Sequence, residues 1–163
     1  MGTKHPVQES EEQRHNRELM ELLNELRVAL PGVQVLFAFL LAVPFQRGWP
    51  HLAHRDRAVF YAAMLATALS TALLIAPSSY HRLRWRDRDK EFLLEASNRL
   101  TIAGLFCLAV AVNCVVFVIS DFLYSYAAAV PVTSLVAVVF ATLWYALPLR
   151  RARKDRRRAR PAR

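Results

Sequence analysis

Four long apolar runs without an ionisable side chain constrain this chain more than any other feature. They cover about residues 28–45, 58–77, 100–119 and 127–149, and none holds Asp, Glu, Lys, Arg or His. At about 1.5 Å per helical residue the first run alone covers roughly 27 Å, close to the hydrocarbon core of a bilayer. The apolar residues come in blocks rather than at the three-four spacing of a soluble amphipathic helix, so the runs predict spans and not a soluble core. The expected fold class is all-α: an integral membrane four-helix bundle with a cytoplasmic N-terminal helix and a polybasic C-terminal tail. The 163 residues suit one domain. The first run begins only at Val28, after a polar stretch, so no cleavable leader is expected.

Between and around the spans the chain reads as follows. Residues 1–10 are polar and expected to be disordered, and residues 11–149 form the four-helix transmembrane domain. A helix is expected from Glu11 to Arg27, with Leu19, Leu22, Leu23 and Leu26 on one face, packing on its own loop. Pro31-Gly32 should bend or loosen the first span. His51 and His54 stand three apart beside Asp56, but this short loop lacks the further ligands a metal needs, so solvated histidines are expected and no metal or cofactor is assigned. Residues 78–99 form the longest loop, mixing Arg82, Arg84 and Arg99 with Asp87, Asp89, Glu91 and Glu95; Asp87 or Asp89 suits a helix cap, and Glu95 with Arg99 an i, i+4 pair. Tyr124-Ser125-Tyr126 makes a tight turn into the fourth span, and residues 150–163 are a cytoplasmic tail of nine basic residues and one acid.

Lys and Arg fix the expected threading. Nineteen lie in the N-terminal segment, the 78–99 loop and the tail, against Arg47, Arg55 and Arg57 on the other side. The positive-inside rule then places both termini in the cytoplasm of a bacterial cell membrane. The same basic excess sits beside apolar blocks, so its expected partner is a bilayer with anionic headgroups and not nucleic acid. Cys107 and Cys114 lie seven residues apart on one helix, about 10 Å, too far for a disulfide.

Small residues recur at four-residue intervals as Ala62, Ala66 and Ser70, as Ala63, Thr67 and Thr71, and as Ala103, Cys107 and Ala111. That spacing lets helix backbones approach closely in lipid. Counting depth along upright helices gives two expected polar layers. One joins Gln34 to Ser70, Thr71 or Thr142, and the other joins Asn113 to Thr133 or Ser134. At the cytoplasmic headgroup level, Glu21 and Glu25 should pair with Arg82, Arg84 and Arg99.

The runs NELRVALPGVQVLFAFLLAVPFQ, LLIAPSSYHRLRWR, SNRLTIAGL and WYALPLRR resemble an uncharacterised family of small four-span membrane proteins from high-GC Gram-positive bacteria, catalogued as a domain of unknown function. The resemblance covers about residues 17–151. It implies a fold and a location and carries over no functional residue. Some members bear the label sodium/proton antiporter, yet a carrier of that kind needs an ionisable group within the membrane. Asp121, at the edge of the third run, is the nearest one here. No nucleophile stands with a base, and no metal cluster is present, so an enzyme is not expected. The sequence therefore points to a non-enzymatic protein that assembles as a homo-oligomer or with a membrane protein partner. The alternative is a small cation or proton transporter or channel subunit acting as an oligomer.

Overall fold

A computed structural model describes residues 11–83 and 90–147. Helix α1 spans Glu11–Ala42, α2 His54–Leu83, α3 Lys90–Leu123 and α4 Tyr126–Phe140, with a π-helical continuation over Ala141–Ala146. Short 3-10 turns at Val43–Phe45 and Trp49–His51 lie between α1 and α2. No strand occurs among the described residues. Four helices are long and apolar enough to cross a membrane, over Met20–Phe45, His54–Tyr80, Leu94–Leu123 and Tyr126–Ala146. They make this an all-α, four-span protein of the multi-pass type.

The helices run further than the apolar blocks. The expected N-terminal helix and first span are one element, and α1 passes through Pro31 without a break. A proline frees one carbonyl and removes one donor, which a long helix tolerates where the freed groups find other partners. Pro77 and Pro131 likewise lie inside α2 and α4. Most of the expected 78–99 loop is also helix, since α2 continues to Leu83 and α3 starts at Lys90. The polar residues there carry the helices on beyond the apolar runs; hydropathy marks the depth of hydrocarbon and not the end of hydrogen bonding. Residues 1–10, the candidate caps Asp87 and Asp89, Arg84 and the polybasic tail lie outside the described residues.

Helix α4 shows the environment overriding propensity. Val130, Val132, Thr133, Val136, Val138 and Val139 crowd a helix built from β-branched residues. In hydrocarbon, however, every backbone N–H must bond within its own segment, and only a helix allows that. The element starts at Ser125, an extended N-cap whose hydroxyl accepts from the Ala128 amide at 3.4 Å. The Ala129 amide donates to the Ser125 carbonyl at 2.9 Å.

The chain divides into two compact units. One gathers α1 with α2 from Ala66 and with α3 up to Leu108; the other gathers the segment from Phe45, α2 up to Leu65, α3 from Ala109, and α4. In the first unit, Leu26, Val33 and Leu74 are buried together and Leu22, Leu30, Leu105 and Leu108 pack against them. Leu26, Val33 and Leu40 recur every seven residues along the buried stripe of α1. The second unit buries Phe60, Ala63, Ala109, Ala111, Val118 and Ala129, mostly small side chains.

Candidate functional site

The second unit holds a charged cluster at the start of α2. His54 opens the helix and Asp56 stands in its first turn, where the helix dipole favours an anion. Asp56 is only 4% exposed. Its Oδ1 accepts from Arg55 Nε at 3.4 Å, while Arg55 Nη2 pairs with Oδ2 of Asp121, carried on the last turns of α3. The Asp121 side chain is 9% exposed and that of Arg55 51%. The guanidinium also lies over the Tyr126 ring at 4.5 Å and the Phe117 ring at 5.7 Å, and those two rings meet edge to face at 6.0 Å. One arginine therefore ties α2 to α3 and to the start of α4. Two nearly buried carboxyl groups share this one guanidinium, which offsets one of their two charges.

Arg57, two residues beyond Arg55, holds the preceding segment. Its Nε donates to the Leu52 carbonyl at 3.1 Å and its Nη2 to the Pro50 carbonyl at 2.9 Å. The guanidinium lies 5.8 Å from the Trp49 ring, which packs edge to face on buried Phe60 at 5.2 Å. His51 and His54 are exposed. Among the described residues, no three His, Cys, Asp or Glu side chains gather in a metal-holding group.

The first unit is joined by a different contact. Ser70 donates from Oγ to the Gly104 carbonyl at 2.8 Å, with both residues buried. A Cβ on Gly104 would lie 2.8 Å from Cγ and Cδ2 of Leu74 and 3.3 Å from Cβ of Leu73. Here α2 and α3 approach so closely that the position has no room for a side chain. Of the small-residue strips, Ala63, Thr67, Ser70 and Ala111 are buried, whereas Ala62 and Ala103 are exposed and Ala66, Thr71 and Cys107 lie between. Cys107 and Cys114 are free thiols.

The expected polar layers are redistributed. The Ser70 proton goes to Gly104 and that of Thr71 to the Thr67 carbonyl on its own helix at 2.9 Å, so neither is given to Gln34. Gln34 and Thr142 are exposed. Asn113 turns its Nδ2 to the Ala109 carbonyl one turn back, at 2.9 Å. Its Oδ1 and the Oγ1 of Thr133 are both buried, yet neither has a hydrogen-bond partner among the described residues. Ser134 is exposed. Thr71 and Asn113 take a carbonyl on their own helix and Ser70 a backbone carbonyl on α3, partners that depth arithmetic alone does not reveal.

The charge pairs are local as well. Glu21 lies 3.8 Å from Arg17, and Arg99 binds Glu95 at 2.5 Å, both at i, i+4. The Glu95–Arg99 pair is the one the spacing predicts. The expected contact of Arg99 with Glu25 gives way to it, because a partner one turn away needs no tertiary positioning. Glu25 is exposed, Arg82 lies within α2, and Arg84 falls outside the described residues. The sequence reading missed the Arg55–Asp56–Asp121 cluster as a unit. Its signal was two acids at the adjacent ends of the second and third runs, with an arginine beside one of them.

A model of a protein family, described as "Family of unknown function (DUF6328)", matches residues 8–148. The chain belongs to this family. The DUF6328 match takes in all four spans and every contact described above, and it ends before the basic residues 150–163. Searches of the curated proteins and of the solved structures gave no match. Membership of DUF6328 assigns no activity, so the chemistry of the site rests on the residues themselves.

Proposed function

We propose that this DUF6328 protein is a non-enzymatic, multi-pass protein of the bacterial cell membrane that works by assembling with itself or with a membrane protein partner. The observation that carries this reading is that three polar side chains within the apolar spans, Gln34, Ser134 and Thr142, stand exposed. A polar group turned toward hydrocarbon costs free energy, whereas one turned toward a neighbouring helix gains a hydrogen bond. Serine and threonine can recover a bond from their own helix, but the longer Gln34 side chain is the one that calls for a neighbour. Nineteen basic residues against three support cytoplasmic termini. The nine basic residues of the tail suit anionic headgroups better than nucleic acid, because the basic excess adjoins apolar runs.

The second reading, a small cation or proton transporter acting as an oligomer, draws on one feature. Asp56 and Asp121 bring two nearly buried carboxyl groups to one guanidinium at the ends of two spans. Ion flux through purified protein in liposomes separates the two. Assembly alone predicts no flux above that of empty vesicles, together with a constant partner or self-association in native membranes. Flux that Asp121→Asn abolishes would replace the assembly reading with transport.

A further inference from the structure

We propose that the Gln34 face of α1 is a contact between two copies of this chain, with the Gln34 amide pairing with its own counterpart across a two-fold axis. The inference deepens the assembly reading and rests on it. Gln34 lies well inside the span Met20–Phe45, is exposed, and meets no hydrogen-bond partner among the described residues. The stripe of α1 about a quarter-turn away, with Leu26, Val33 and Leu40, is already buried within the chain. The amide therefore stands on the side of the helix that the chain itself leaves open.

Three features select a second copy as the occupant. First, a primary amide is self-complementary: it carries an acceptor oxygen and two N–H donors, so two amides facing across a two-fold axis can exchange a reciprocal pair of hydrogen bonds. Second, copies inserted by the same charge rule share one orientation, so a two-fold axis between them runs along the bilayer normal. Such an axis sets every residue at the depth of its own counterpart. The one side-chain amide of the run 28–45 then meets a group of matching depth and chemistry, its own counterpart.

Third, the surroundings permit the approach. Pro31 and Ala38, one turn to either side of Gln34, are small and exposed, and a Cβ on Gly32 would meet nothing within 4 Å. Small neighbours let two backbones come close enough for the two amide groups to meet. Arg27 lies seven residues before Gln34 on the same stripe and is also exposed. Like charges there repel, so the two helices cross near Gln34 and diverge toward Arg27, whose long side chain reaches water. The contact is a crossing point rather than a continuous seam.

The test uses the full chain carrying Cys107→Ala and Cys114→Ala, purified and placed in liposomes at graded lipid dilution. Energy transfer between separately labelled copies reads association, which Gln34→Leu should weaken roughly tenfold, the effect of losing about two interhelical bonds. Gln34→Asn should restore part of it. In the same background, Gln34→Cys should oxidise to a disulfide-linked pair, while Phe39→Cys, exposed on another part of the helix, should not. Association that Gln34→Leu leaves unchanged, or linkage as efficient at Phe39 as at Gln34, overturns the contact and leaves assembly standing. A monomer at every dilution also overturns the contact. If native membranes then yield no constant partner, the assembly reading falls with it.

Discussion

In the unit that includes α1, α2 meets α3 through a hydroxyl and a missing side chain, Ser70 against Gly104. In the unit that includes α4, the same two helices meet through Arg55 and Asp121, under the rings of Phe117 and Tyr126. The first contact is dry and short-range: one neutral bond at 2.8 Å and a Leu74 side chain that leaves no room for a Cβ on Gly104. The second is charged and spread over three helices. The contrast follows from what each stretch of sequence offers. Residues 66–77 and 100–108 carry no Asp, Glu, Lys, Arg or His, so packing and a hydroxyl must serve. Asp56 and Asp121 lie where the apolar runs end, and there a half-exposed arginine can pair with both without being wholly desolvated.

The sharpest way to break this comparison is to fill the space at Gly104. Gly104→Ala places a methyl 2.8 Å from Cγ and Cδ2 of Leu74, a residue with no exposed surface to move into. The expected cost is about 1–3 kcal/mol in thermal unfolding, since overpacking forces neighbours off their rotamers. Leu74→Val in the same molecule should return part of it by shortening the side chain that clashes. If Gly104→Ala unfolds like the parent chain, the close approach of α2 and α3 is not what holds the first unit.

A smaller effect is expected when the charged contact is broken. Asp121→Asn removes the acceptor charge from Arg55, and Arg55→Gln removes the donor from two carboxyl groups at once. Both changes should lower the melting temperature, and Arg55→Gln should lower it more, because Asp56 and Asp121 then face each other nearly buried without a counter-charge. The double variant should be milder than the sum of the two, since each alone leaves a charge unpaired. Additive losses would show that Arg55 and Asp121 act on separate partners, and the second unit would lose its stated tie.

How much of this was legible depended on the range of the interaction. The four spans could be read because a charge-free run of hydrocarbon length is itself the physical requirement for crossing a bilayer. Helix ends were not legible at Pro31, Pro77 or through residues 78–83, because a proline or a polar residue interrupts hydropathy without interrupting the backbone ladder. The pair Glu95–Arg99 was readable, being one turn apart. Depth arithmetic placed Ser70 and Asn113 but not their partners. Ser70 binds a backbone carbonyl, Asn113 a carbonyl on its own helix, and every residue offers such a carbonyl. Gly104 carried a signal that went unread, as the single glycine of the third run.

The smallest effect concerns the polar ends of the first unit and asks whether charge adds a tertiary tie there as it does in the second. Arg99 and Glu95 are 76% and 63% exposed, a pair held by helix geometry alone. Exposed i, i+4 pairs contribute about 0.3–0.5 kcal/mol, and less as salt rises, because both partners are well solvated and lose side-chain freedom on pairing. A double-mutant cycle on Glu95→Gln and Arg99→Gln should return a coupling of about that size at low salt. A parallel cycle on Glu25→Gln and Arg99→Gln should return none, because the guanidinium of Arg99 is already bound to its own helix. If Glu25 couples to Arg99 more strongly than Glu95 does, α1 and α3 are joined by charge as well as by the leucines around Leu26, and the contrast between a dry unit and a charged one disappears.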